Sequence, residues 1–182
     1  LLLQLAYSFR LKHIVIVDLL TLTFGFVLRV VAGVVVIQVE NFSPWLYVCT
    51  GLLALFLAVS KRRQEIILLG GNGQAALVRR IYKDYTVELL DKILGVVVAS
   101  TFITYTLYTI ETPSRLMANR YMGLLTVPFV IYGLFRYMYL IYVRGETAPP
   151  DEVLLKDRPM QIDILLFAIS FVLILYVFPS VQ

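Results

Sequence analysis

The chain has 182 residues, of which 60% are hydrophobic, and a formal net charge of +4 at pH 7. This composition lies outside the range of ordinary soluble domains and favours a membrane protein. With one cysteine and one histidine, the chain by itself cannot supply a disulfide framework or a cluster of either residue around a metal. The basic residues lie between apolar segments and not along one soluble face, which argues against nucleic acid as a partner.

Long apolar segments recur along the chain and set its predicted architecture. Their lengths, about 18 to 25 residues, match a helix that crosses roughly 30 Å of hydrocarbon. We predict five complete transmembrane helices, which run from about Ile14 to Ile37, Trp45 to Val59, Thr86 to Ile110, Tyr121 to Val143 and Ile162 to Phe178. The expected fold class is an all-α polytopic membrane helix bundle, a single transmembrane domain over residues 1–182.

The basic residues are distributed unevenly between the two membrane sides that these spans define. Twelve of the sixteen Lys and Arg residues fall near residues 10–12, in the connection 60–92 and in the connection 144–160, which all lie on one side. Because short cytoplasmic connections carry the Lys and Arg excess, this side is predicted to face the cytoplasm. The chain is therefore expected in the plasma membrane, with its C-terminus outside.

The connection from Ser60 to Lys92 is the most charged part of the chain. It holds seven of the sixteen basic residues together with Glu65, Asp84, Glu88 and Asp91. A purely structural interpretation is available, since Lys61 and Glu65 are one helical turn apart and neighbouring arginines can reach lipid phosphates. The functional interpretation is a site for a phosphorylated, metal-bound substrate, in which basic side chains hold phosphate and carboxylates hold Mg²⁺.

Arg29 is a charged residue in the middle of the first predicted span. It follows Asp18 by eleven residues, about 16 Å along a helix, so Asp18 cannot be its partner. A charge at this depth costs at least ~2.5 kcal/mol on insertion scales and usually faces a polar cavity or a partner. Either helix carbonyls satisfy the guanidinium, or Arg29 lines a functional cavity.

Several short motifs become recognisable when they are taken together. They are Tyr7-Ser8, Leu11-Lys12, Asp18, Gly25-Phe26, Leu28-Arg29-Val30, Ala32-Gly33, Ser60-Lys61-Arg62-Arg63-x-Glu65, Arg79, Tyr85-Thr86, Pro150-Asp151-Glu152 and Lys156-Asp157-Arg158-Pro159. The combination resembles the UbiA prenyltransferase superfamily, and within it the decaprenyl-phosphate phosphoribosyltransferase branch, over essentially all 182 residues. The SKRRxE run is the most specific of these motifs.

The resemblance implies a bundle of nine transmembrane helices around a cavity that opens to the cytoplasm, of which the five predicted spans correspond to the last five. The family's first Asp-rich motif, NDxxDxxxD, does not occur in this sequence. The N-terminal helices that carry this motif are therefore expected to be absent from the chain, and the chain alone is expected to be inactive. SKRRxE stands where most relatives have a second, DxxxD motif, and this substitution suits a phosphoribosyl donor.

The branch implies transfer of 5-phosphoribose from phosphoribosyl pyrophosphate to a polyprenyl (decaprenyl) phosphate, with release of pyrophosphate, for the supply of cell-envelope sugars. Mg²⁺ is the implied cofactor, and the lipid bilayer holds the polyprenyl tail. For such a site we predict catalytic roles for Lys61, Arg62 and Glu65, substrate-binding roles for Lys12, Arg29, Arg79 and Tyr85, and metal-binding roles for Asp18 and Asp91.

Two other functions remain compatible with the sequence. One is a UbiA-type aromatic prenyltransferase that uses a prenyl diphosphate. The other is a non-catalytic transport or assembly subunit whose polar helix faces serve helix contacts or solute passage. An oligomer is compatible with all three functions.

Overall fold

The computed structural model describes residue 7 and residues 10–37, 43–78, 80–111 and 121–176. Within these ranges the regular structure is entirely helical, which confirms the all-α prediction. The described ranges contain seven α-helices: α1 (Val17–Ile37), α2 (Pro44–Leu68), α3 (Asn72–Val78), α4 (Val87–Glu111), α5 (Val127–Tyr142), α6 (Pro150–Lys156) and α7 (Arg158–Tyr176). The same ranges contain three short 3₁₀ helices, Leu11–His13, Arg80–Lys83 and Met122–Thr126.

Four helical segments in the described ranges are long and apolar enough to cross a membrane. They are Val17–Val36, Pro44–Leu68, Val87–Glu111 and Met122–Tyr142. These segments confirm four of the five predicted spans, and they make the chain a membrane protein. The fifth prediction, Ile162 to Phe178, coincides with α7 up to Tyr176, while its last two residues lie outside the described ranges. The count of five therefore stays a prediction.

Helix α2 is longer than the sequence pattern predicts. The second span was expected to end at Val59, but α2 continues through the SKRRxE run to Leu68. The helix continues because residues 60–68 are good helix formers and include no Gly or Pro. A change from apolar to charged side chains does not by itself end a helix. The helix ends before Gly70 and Gly71, which have positive φ values of 80° and 96°.

The chain divides into two compact units, Leu1–Thr101 and Phe102–Gln182, and helix α4 contributes to both. In the first unit α1 packs along α2. Gly51 of α2 permits this approach, because a Cβ there would lie 3.3 Å from a Val27 methyl carbon. The buried core of this unit includes Leu19, Val59, Ile66, Tyr82, Tyr85, Leu90 and Leu94.

In the second unit α5 packs against α7, and the 3₁₀ helix Met122–Thr126 also contacts α7. The hydroxyl groups of Tyr105 and Thr126 lie 2.6 Å apart. Arg136 donates two hydrogen bonds to Asp157, at 3.0 and 2.9 Å, and so joins α5 to the residue that precedes α7. The single-domain assignment stays a prediction.

Candidate functional site

The charged end of α2 is mostly buried, unlike an ordinary solvated helix end. Arg62 is 5% exposed and Arg63 is 7% exposed, whereas Lys61 points outward. Burying a guanidinium is costly unless carboxylates and hydrogen-bond acceptors surround it. The neighbours of these two arginines therefore determine what this part of the chain can do.

Arg62 lies at the centre of a network of five side chains, which we call the Arg62 cluster: Asp18, Arg62, Glu65, Tyr82 and Tyr85. The Nε of Arg62 donates to Oδ2 of Asp18 at 3.2 Å. Its Nη1 donates to Oε2 of Glu65 at 3.1 Å and to the Tyr82 hydroxyl at 2.8 Å. The Tyr82 hydroxyl in turn donates to Oε2 of Glu65. The cluster thus joins α1, α2 and the segment that precedes α4.

Tyr85 closes this network on the side of α1. It is fully buried, and its hydroxyl donates to Oδ1 of Asp18 at 2.6 Å. The same hydroxyl accepts the backbone N–H of Ile16 at 2.7 Å. Ile16 has a φ of 68°, a left-handed conformation that is rare for a β-branched residue. Tyr85 therefore fixes both the entry turn of α1 and the orientation of Asp18.

The protonation state of Tyr85 suits this role. Burial, followed by the hydrogen bond to Asp18, raises the pKa of the Tyr85 hydroxyl above its ordinary value. The hydroxyl therefore keeps its proton at physiological pH and remains a donor to the carboxylate.

Arg63 makes a further ion pair at this end of α2. Its Nε donates to Oδ1 of Asp91, which lies in the first turns of α4. Asp91 is about a third exposed, with 29% of its side chain accessible. With Arg62 held by Asp18, the two arginines attach α2 to both α1 and α4.

Several cationic side chains of the first unit stay exposed around this buried network. Neither a hydrogen bond nor an ion pair engages their side chains within the part of the chain that the structure describes; they are Arg10, Lys12, Lys61, Arg80 and Lys83. The 3₁₀ helices Leu11–His13 and Arg80–Lys83, which carry Lys12, Arg80 and Lys83, contact each other. These cations are available to bind phosphate groups.

The remaining predicted substrate-binding residues are placed as follows. Arg29 is exposed on α1, with its guanidinium carbon 5.2 Å from the centre of the Phe26 ring, and is not part of the Arg62 cluster. Arg79 lies outside the described residues. Their assignment to substrate binding stays a prediction.

The two predicted metal ligands, Asp18 and Asp91, are each paired with an arginine. Asp18 is fully buried, and its two oxygens accept hydrogen bonds from Tyr85 and Arg62. Asp91 accepts from Arg63. Across the described ranges, no group of three His, Cys, Asp or Glu side chains could hold a metal ion. In this arrangement the two carboxylates do not fit a Mg²⁺ site.

Sequence reasoning missed Tyr82, which is buried and bridges Arg62 to Glu65. The available signal was its position three residues before Tyr85 in a polar connection, where an aromatic residue needs a polar partner for its hydroxyl. Sequence reasoning also missed the carboxylate of Asp163 in α7, although an acidic residue inside an apolar helix is visible from the sequence.

No family model matches the chain. Curated proteins do match it over most of its length. A decaprenyl-phosphate phosphoribosyltransferase of Corynebacterium glutamicum is 30% identical over 178 residues, which cover 97% of this chain and 52% of the relative. The resemblance is therefore confirmed. This chain is a sequence relative of proteins named decaprenyl-phosphate phosphoribosyltransferase.

Two further relatives carry the same name. The protein of Mycolicibacterium smegmatis is 31% identical over 170 residues, 87% of this chain and 51% of the relative. That of Mycobacterium tuberculosis is 27% identical over 160 residues, 87% of this chain and 50% of the relative. The chain thus spans about half the length of the curated relatives that it matches.

Proposed function

We propose that the chain forms the phosphate-handling part of a membrane-embedded transferase. This enzyme moves 5-phosphoribose from phosphoribosyl pyrophosphate to decaprenyl phosphate and supplies sugar for the cell envelope. The observation that carries the proposal is the SKRRxE end of α2, where a buried arginine network lies beside the exposed Lys61. The names of the relatives, which align along most of the chain, support it.

The chemistry asks the protein chiefly to bind and orient two phosphorylated groups. An oxygen of the lipid phosphate forms a bond to the anomeric carbon of the donor, while the bond from that carbon to pyrophosphate breaks and pyrophosphate leaves. Exposed lysines lower the energy of the negative charge that develops on the leaving group. Lys61 and Lys12 have this role in the proposal.

Arg62 and Glu65 have a different part in the proposed site. Arg62 is bound by Asp18, Glu65 and Tyr82, so its charge is already neutralised within the protein. Glu65 is the more accessible of the pair, with 32% of its side chain exposed. Arg62 therefore holds Glu65 in one orientation, and Glu65 contacts the bound substrate. Tyr85 does not contact the substrate in this proposal; it orients Asp18, which in turn holds Arg62.

Mg²⁺ stays in the proposal as the ion that accompanies the donor's pyrophosphate group. Its protein ligands would be carboxylates other than Asp18 and Asp91 as they are paired here. The distribution of basic residues supports a site that faces the cytoplasm in the plasma membrane.

The test is a transfer assay in membranes that contain a protein in which this chain is joined to a segment carrying the Asp-rich motif, with labelled phosphoribosyl pyrophosphate and decaprenyl phosphate. Lys61→Ala should lower turnover by about tenfold or more, because one charged hydrogen bond to a phosphate is lost. Lys92→Ala is the matched control, since Lys92 is exposed and pairs with Glu88 in α4. Equal turnover of Lys61→Ala and wild type would remove Lys61 from the site.

The same assay separates the two alternative functions. Transfer from a prenyl diphosphate to an aromatic acceptor, without transfer from the ribosyl donor, would indicate an aromatic prenyltransferase. No release of pyrophosphate from either donor would indicate a non-catalytic subunit.

A further inference from the structure

Helices α5 and α7 of the second unit enclose a groove that the proposed reaction does not use. Its volume is about 500 Å³, and its walls include Pro128, Phe129, Tyr132, Ile162, Asp163 and Leu166. Ile162 is 56% exposed and Leu166 is 45% exposed, so the rim of the groove on α7 is apolar and open. A groove with such a rim on a membrane protein is accessible to lipid.

Asp163 is the one charged residue among the described residues that line this groove. Its side chain is more than nine-tenths buried, with 8% of the residue exposed. Among the described residues it has neither a hydrogen bond nor an ion pair. Arg136, the cation of α5, is paired with Asp157 instead, to which it donates two hydrogen bonds. An unpaired carboxylate in an apolar helix is costly unless a cation or donor is supplied from elsewhere.

The backbone of α5 allows the carboxylate to lie at the helix crossing. A Cβ on Gly133 would be 3.1 Å from Oδ2 of Asp163. Any larger residue at position 133 would therefore push this carboxylate oxygen away by a few tenths of an ångström. Glycine at this position lets α5 and α7 approach while the carboxylate oxygens remain next to the groove.

The other walls of the groove select the kind of cation. Phe129 and Tyr132 contribute aromatic rings, which attract cations through the negative charge on their faces. The aliphatic rim suits an acyl chain. A molecule that carries a cationic head and an apolar chain matches both features at once, and a primary ammonium adds three hydrogen-bond donors for a carboxylate.

We propose that the groove between α5 and α7 binds an aminophospholipid, whose primary ammonium group pairs with Asp163 and whose acyl chain lies along Ile162 and Leu166. Charge complementarity is the basis of the assignment: the groove holds a carboxylate that no described residue pairs with, and the bilayer supplies lipids with ammonium heads. This site is independent of the proposed phosphoribosyl transfer.

The test is lipid retention by the purified protein. The protein is reconstituted into bilayers with equal parts of phosphatidylethanolamine, phosphatidylcholine and phosphatidylglycerol, then extracted in mild detergent and examined by native mass spectrometry. Wild type should retain phosphatidylethanolamine about tenfold over phosphatidylcholine, because only the primary ammonium donates hydrogen bonds. If the wild-type protein retained phosphatidylethanolamine and phosphatidylcholine equally, that result alone would overturn the proposal.

Two variants test the groove residues. Asp163→Asn should abolish the preference by removing the charge, and Gly133→Ala should weaken it by shifting the carboxylate oxygen. Glu152→Gln is the matched control, because Glu152 is an exposed carboxylate of α6 that pairs with Lys156. A preference that survives Asp163→Asn would overturn the proposal. The proposal would also be overturned if Asp163→Asn changed the oligomeric mass of the protein but not the lipids it retains. That result would show that a second copy of the chain fills the groove.

Discussion

At the scale of single residues, the central feature is Tyr85. Two groups depend on its hydroxyl, the Asp18 carboxylate and the backbone N–H of Ile16. Asp18 in turn holds Arg62, which orients Glu65. One buried hydroxyl therefore determines the geometry of residues that the proposed reaction uses, even though Tyr85 itself is fully buried.

Tyr85→Phe should lower the free energy of unfolding by about 1–3 kcal/mol, because two buried polar groups lose their partner. In the transfer assay it should lower kcat more than it raises KM, since Arg62 and Glu65 would be disordered while the exposed lysines remain. Thermal unfolding in detergent and steady-state kinetics measure the two effects. Tyr176→Phe is the control, because Tyr176 is 78% exposed. An unchanged melting temperature for Tyr85→Phe would contradict the assigned role.

Asp157 makes stability depend on pH in a predictable direction. Its hydrogen bonds with Arg136 hold the pKa of this carboxyl below its ordinary value. A lowered pKa in the folded state means that the stabilisation is fully present above the ordinary pKa of about 4 and is lost as the pH falls through the lower, folded value.

Wild type should therefore lose stability as the pH falls below about 4, and Asp157→Asn should lose less over the same range. At neutral pH the variant should be less stable by about 1–3 kcal/mol, since a charged hydrogen bond is broken. Unfolding curves at several pH values measure both effects. Parallel curves for the two proteins would show that the Arg136–Asp157 pair contributes no pH dependence.

At the scale of helices, the end of α2 decides where the charged residues lie. The helix continues nine residues beyond Val59, which brings Arg62 and Arg63 onto buried faces. The N–H of Gly71 donates to the carbonyl of Ile66 at 2.9 Å and caps the helix. Gly71 adopts a φ of 96°, which a residue with a Cβ rarely adopts.

Gly71→Ala should destabilise the protein by about 1–2 kcal/mol, because the backbone conformation is strained for alanine. Gly73→Ala, two residues later, should be neutral or stabilising by up to about 1 kcal/mol, since Gly73 lies within α3 and alanine favours a helix. Thermal unfolding of the two variants side by side makes the comparison. Equal destabilisation would show that the φ of Gly71 is not what limits substitution.

At the scale of the whole molecule, the chain spans about half the length of its curated relatives. It has no NDxxDxxxD motif, and no metal-binding group is formed by the residues that the structure describes. The proposed phosphoribosyl transfer needs ligands for the ion that accompanies pyrophosphate. The exposed lysines supply only cations, and the two carboxylates of the Arg62 cluster are each bound by Arg62.

The 182-residue chain by itself should therefore show no phosphoribosyl transfer, with or without added Mg²⁺. The measurement is single-turnover transfer of labelled ribose phosphate with the purified chain in bilayers. A protein that joins this chain to a segment carrying the Asp-rich motif is the positive control. Turnover by the chain alone would contradict the prediction.

The sequence by itself determined the membrane class, the all-α fold and four spans, because hydrophobicity and segment length are properties of composition that need no tertiary contact. The SKRRxE run also pointed to the relatives that the comparisons found. Only the tertiary structure decided the partners of the buried charges. Arg62 pairs with Asp18 across 44 residues, and Tyr85 reaches Asp18 across 67. Such pairs depend on which helix faces meet, and local periodicity carries no information about them.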